Sequence, residues 1–256
     1  MPYVRASPAV RRALERERHW VAVGATVLAA VAGYVNVVLL GFFHVPVSHM
    51  SGAVSRLGID LAAADLADLK LVLSIVVGFL VGAALSGAII GGTALIPGRR
   101  YGVVLLLEGL LLTLSMALLL NEHVGGVTLA AMACGVQNAM ASSYYGLIIR
   151  TTHVTGIVTD LGVLIGHWLR HRRVQGWRLI MLGGILVGFF VGGGIGAFAV
   201  SMVGMWALAP PALGCAVAGL LYFAWQHRRR HLVKRSRARL RRAELERRRP
   251  SARSWL

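Results

Sequence analysis

Charge is what this 256-residue sequence has least of. Only 14% of its residues are Asp, Glu, Lys or Arg, against about 25% in a soluble domain, and 57% are hydrophobic. That shortage excludes an ordinary water-facing exterior and makes lipid the solvent that fits. Cysteine is nearly absent as well. Cys134 and Cys215 each lie inside an apolar run with no metal-ligand spacing, which excludes a disulfide scaffold or zinc module and leaves two small packing residues. No metal or other cofactor is expected. Acidic residues are scarce too, 10 against 27 basic ones, for a net charge of +17.

The surplus is concentrated at the C-terminus. Residues 227–256 hold thirteen Lys or Arg against Glu244 and Glu246, so most of the basicity belongs to a tail. Such a tail sets membrane topology and touches anionic lipid, or recruits an acidic partner; nucleic acid is not expected to bind it. Basic residues at Arg5, Arg11, Arg12, Arg16 and Arg18 precede the first apolar run. Ala30-Val31-Ala32 resembles a signal-peptidase site, but the apolar run continues past it to Phe43, so the first helix is expected to be retained.

Six apolar runs, 20–43, 69–96, 103–120, 124–149, 179–202 and 206–225, are each about 20 residues long, enough to cross a bilayer. Two stretches interrupt them and repeat one another. Gly33-Tyr34-Val35-Asn36 is followed by Ser48-His49-Met50-Ser51-Gly52 and then Leu57-Gly58. Gly135-Val136-Gln137-Asn138 is followed by Thr152-His153-Val154-Thr155-Gly156 and then Leu161-Gly162. Farther on, Gly78-Phe79-Leu80-Val81-Gly82 is matched by Gly188-Phe189-Phe190-Val191-Gly192. The chain is therefore a duplicated half-protein, and its recurring glycines let helices approach closely.

Positive charge orients the spans. With six of them and a cytoplasmic N-terminus, Arg99 and Arg100, the loop from Arg170 to Arg178 and the tail all fall inside, while the Lys- and Arg-free turn at 121–126 falls outside. A competing count that makes each motif a full span would place Arg99 and Arg100 outside. The expected fold is thus an all-α polytopic bundle of six transmembrane helices, in two inverted three-helix repeats with a short motif helix each. The parts are a basic cytoplasmic N-terminus (1–18), repeat 1 (19–121), repeat 2 (122–226) and an Arg-rich cytoplasmic tail (227–256), in a bacterial inner membrane. Homo-oligomers are compatible with this plan.

Each motif places a hydroxyl and a glycine where a helix starts. Ser51 and Thr155 are the expected N-caps, and helix N-termini facing one another across an inverted repeat offer an anion-friendly site at the bilayer midplane. The candidate substrate-binding residues are Asn36, His49, Ser51, Gly52, Gln137, Asn138, His153, Thr155 and Gly156. Glu108, a carboxylate within a span, and Asp160 are candidates for proton coupling. Glu108 could instead pair with His44, His49 or His153, and Arg56 with Asp160. The matched histidines have no recurring acid or cysteine beside them, which argues against metal.

These motifs, above all the run from Arg150 to Gly162, resemble the YoaK-like family of bacterial integral membrane proteins. The resemblance covers about residues 20–225 and implies a multi-pass membrane protein, but no substrate or catalytic residue. Asn36 stands where that family usually carries an acid. The expectation is a small-solute transporter or channel. The alternative is a non-transporting scaffold or regulator acting through its tail. A weaker third reading, an intramembrane enzyme using Glu108, His153 and Asp160, is not favoured.

Overall fold

The computed structural model describes residues 8–91, 99–142, 151–171 and 176–248, with side chains described from 19 to 228 within those ranges. Among them the chain is entirely helices and turns. The helices are α1 (Pro8–Phe43), α2 (Met50–Ala62), α3 (Leu66–Ile90), α4 (Arg99–Leu120), α5 (Gly125–Ser142), α6 (Val154–His171), α7 (Gly176–Val203) and α8 (Ala209–Arg248), with a short 3-10 turn, Gly204–Leu208, between the last two.

Four stretches are long and apolar enough to cross a membrane: His19–Phe43, Leu66–Ile90, Arg99–Leu120 and Gly176–Arg228. The last comprises 53 residues and covers α7 and the first half of α8. At about 1.5 Å per residue it is more than twice the ~30 Å of a hydrocarbon core. It breaks where Gly204 turns left-handed at φ 57°, and Pro210 and Pro211 then occupy the first turn of α8, where their missing N–H groups cost nothing. Helix α5 is not among the four. It carries Gln137 and Asn138, and most of its surface is covered by neighbouring helices. The end of the fourth expected span lies outside the described residues.

Helix ends follow local chemistry. The Asp65 carboxylate accepts from the N–H groups of Ala67 and Asp68, both at 3.1 Å, and starts α3. Gly91, at φ 72°, ends that helix, and the Arg100 guanidinium donates to the Ile90 carbonyl at 2.9 Å. Helices α4 and α5 form a tight hairpin in which the Ser115 hydroxyl donates to the Gly126 carbonyl at 2.7 Å.

The matched glycine segments make matched contacts in the packing. A Cβ at Gly33 would collide with the Phe189 carbonyl, and one at Gly135 with the Phe79 carbonyl. Gly192 rests on the carbonyl of Ala30 as Gly82 does on that of Met132, and Gly188 on that of Thr26 as Gly78 does on that of Thr128. Every pair is a repeat equivalent of the other. The first helix of each repeat therefore packs against the third helix of the other, α1 on α7 and α3 on α5. Residue numbers rise together along both contacts, so both pairs run parallel. Helices α4 and α8 cross with numbers running in opposite senses, Gly109 against Ala212 and Gly102 against Phe223, and are antiparallel. With no side chain at the crossings, backbones approach closely and dispersion contacts replace the hydrophobic force that lipid cannot supply.

Candidate functional site

Helix α1 ends at Phe43, and His44 reverses the chain with a left-handed backbone at φ 55°. Val45, Val47 and Ser48 then run back into the bundle and are buried. The Asn36 side-chain oxygen accepts from both the Ser48 N–H, at 3.2 Å, and the Ser48 hydroxyl, at 2.9 Å. Asn36 lies two turns before the end of α1, so Ser48 has descended about 10 Å along it. Helix α2 accordingly starts at the height of Asn36. In the second repeat the Thr152 hydroxyl donates to the Asn138 side-chain oxygen at 3.2 Å, and Thr151 and Thr152 are buried. The two asparagines do the same work, holding the returning chain against the helix it has just left.

The histidines follow directly. His49 is the residue before α2, and its carbonyl accepts from Gly52 N and Ala53 N at 3.1 and 3.2 Å. His153 immediately precedes α6, and its carbonyl accepts from Ile157 N at 3.1 Å. The expected caps, Ser51 and Thr155, lie instead inside the first turn and are exposed. The helices start earlier than the hydroxyl pattern implies because the histidine carbonyls already receive the first N–H groups.

The His49 ring is half-buried, edge-on to Phe189 at 5.2 Å between centroids, and its Nδ1 lies 3.0 Å from the Ser48 hydroxyl. Ser48 has one hydroxyl proton and spends it on Asn36, which can only accept at that oxygen. Nδ1 of His49 must therefore carry the proton toward Ser48, leaving Nε2 as an acceptor. Burial lowers the His49 pKa from its ordinary value, and the charge of His153 lowers it further. His153 is exposed, and its ring folds over the first turn of α6, where any Cβ at Gly156 would strike Nδ1.

Other candidates stand apart from this centre. Gln137 is buried and donates to the Leu28 carbonyl of α1 at 3.1 Å, tying α5 to α1. Glu108 is buried in α4 and hydrogen-bonds Cys215 of α8, with Cys134 of α5 close by; its second oxygen, Oε2, has no partner. The expected pairing of Glu108 with a histidine is therefore replaced by thiols, since its face of α4 turns toward α8. Asp160 is exposed on α6. Arg56 does not reach it but pairs with Asp60 at 2.7 Å, one helical turn on, and with Asp68 at 2.8 Å. Ser48, Thr152 and Phe189 were not among the sequence candidates. The first two had a signal, a hydroxyl preceding the histidine in both repeats.

Residues 24–221 match the family described as Protein of unknown function (DUF1275), and the chain belongs to that family. No curated protein and no solved structure matches it.

Proposed function

We propose that this DUF1275 member moves a small solute, preferably an anion, across a bacterial inner membrane through a site at mid-height of the bundle. The observation that carries the reading is the double return of the chain. Ser48 on Asn36 and Thr152 on Asn138 bring the starts of α2 and α6 back into the bundle. Helix starts present unpaired N–H groups and a positive dipole end, which favour anionic groups. Phe189, the neighbour of His49, stands midway along α7, and polar chemistry at such a depth is costly unless used.

The proposed architecture is six crossings, α1, α3, α4, α5, α7 and α8, in two inverted repeats with both termini cytoplasmic. Parallel α1 and α7, parallel α3 and α5, and antiparallel α4 and α8 agree with that order. Glu108, buried and half-satisfied, is the candidate for carrying a coupled proton, and Asp160 the second. A scaffold reading draws on one feature, the continuation of α8 as a helix from the end of its apolar stretch at Arg228 to Arg248.

Flux of a panel of small anions into proteoliposomes tests transport. Wild type is expected to move at least one of them, with Asn138→Ala and His153→Gln reduced; a folded wild type no faster than protein-free liposomes across the panel rejects the proposal. Single cysteines at the exposed Val54 and Val158, in a chain lacking Cys134 and Cys215, should label from opposite sides of the membrane.

A further inference from the structure

Helix α6 buries only Ile157 of its eighteen residues. Its C-terminal half lies beside the start of α7, and Leu164, Ile165 and Trp168 with Leu179 line an apolar groove of about 440 Å³. Cations stand next to the groove residues along both helices. Arg170 and His171 form the last turn of α6, and Arg178 stands exposed one residue before Leu179. An apolar slot followed along both of its helices by an exposed arginine matches an amphiphile with a hydrocarbon chain and an anionic head. Arg presents a planar fork of donors suited to phosphate oxygens, and the C-terminal end of α6 contributes carbonyls that favour the same cations nearby.

The equivalent end of the first repeat does not offer this. There α2 stops after thirteen residues, and the charged groups around it are Arg56, Asp60, Asp65, Asp68 and Lys70, three acids to two bases, with Arg56 already paired to two of the acids. A phosphate would meet a carboxylate-rich surface. The asymmetry is therefore chemical as well as geometric, and it falls on the side that charge patterning assigns to the cytoplasm, where anionic lipids concentrate.

We infer that the groove between α6 and α7 is a binding site for one anionic phospholipid, its acyl chain along Leu164, Ile165, Trp168 and Leu179 and its phosphate between Arg170 and Arg178. This site does not depend on transport. Trp168 makes it measurable, because bromine on an acyl chain quenches indole fluorescence on contact. The full-length protein with its other five tryptophans replaced by phenylalanine, so that Trp168 is the sole indole, is reconstituted in phosphatidylcholine and titrated with small amounts of dibrominated phosphatidylglycerol or dibrominated phosphatidylcholine. Phosphatidylglycerol is expected to quench more at equal mole fraction. The excess should disappear in Trp168→Phe, which removes the reporter, and in Arg170→Gln/Arg178→Gln, which changes two peripheral positions and leaves the groove intact. Equal quenching by the two lipids overturns the site, as does an excess that survives either variant. If Trp168 is instead shielded by a second copy of the chain, neither lipid quenches it and a cysteine at Ile165 cross-links between copies; that result also overturns the proposal.

Discussion

His49 and His153 occupy matching places at the start of matching helices, yet one is anchored and the other is open. The His49 ring is held by Ser48 and Phe189, whereas His153 is exposed and folded over a glycine. The difference begins one residue earlier and three residues later. Ser48 donates to Asn36 twice, through N–H and hydroxyl, and still reaches the imidazole. At Gly52 a methyl group would meet only Pro46, at 3.2 Å, while at Gly156 it would displace His153. The two motifs build one device twice, with one arm fixed and the other exposed. The transport proposed above would use that division as a fixed wall on one side and an exposed residue on the other.

The comparison breaks most severely at the crossings both repeats share. Gly192→Leu and Gly82→Leu each force a side chain into a helix backbone, and both should lose stability at or above the upper end of the ~1–3 kcal/mol usual for overpacking. Gly194→Leu, with open space around it, should be near neutral. Thermal unfolding of purified protein, followed by size-exclusion chromatography, measures all three. A tolerated Gly192→Leu would contradict the packing described.

The asparagines sharpen the comparison. Asn36→Ala strands two buried donors on Ser48 and should cost about 1–3 kcal/mol, whereas Asn138→Ala removes one longer bond and should cost about 0.5–1.5 kcal/mol. The same assay should rank them in that order; equal losses would mean the two returns are equally anchored.

Smallest is the coupling between the histidines. Because folding lowers the His49 pKa, the unfolded chain binds the extra proton, so the contribution of His49 to stability is complete above the ordinary imidazole value of about 6.5 and is lost as pH falls below it. His153→Gln removes the lesser of the two causes and should shift the His49 midpoint partway upward, narrowing that window. NMR titration of histidine-labelled protein in nanodiscs reads the midpoint; no movement would separate the two motifs electrostatically.

Much of this was legible in the chain. Low charge and long apolar runs gave a helical membrane protein, and the repeated glycines at 78, 82, 188 and 192 marked the contacts that the structure places them in. The asparagines were identifiable as a matched pair, but their role was not. It depends on Ser48 and Thr152 returning across a turn, and no helical period encodes that path. Caps were misassigned because Ser51 and Thr155 fit an N-cap by type, whereas main-chain carbonyls of His49 and His153 had already claimed the first turn. The Arg56 partners were within reach of spacing alone, since Asp60 is four residues on. The thiol neighbours of Glu108 were not, because they come from two other helices.

The exchange of partners between repeats also sets an order of assembly. Helices α3 and α5 are both complete once Ser142 has been synthesised, but α1 must wait for α7, which ends at Val203. The first helix made waits longest for its partner. Through most of translation its glycine-notched face lacks that partner, and a chain stopped before Gly176 loses the seam that joins its beginning to its end, although helices α1 to α6 have all been made.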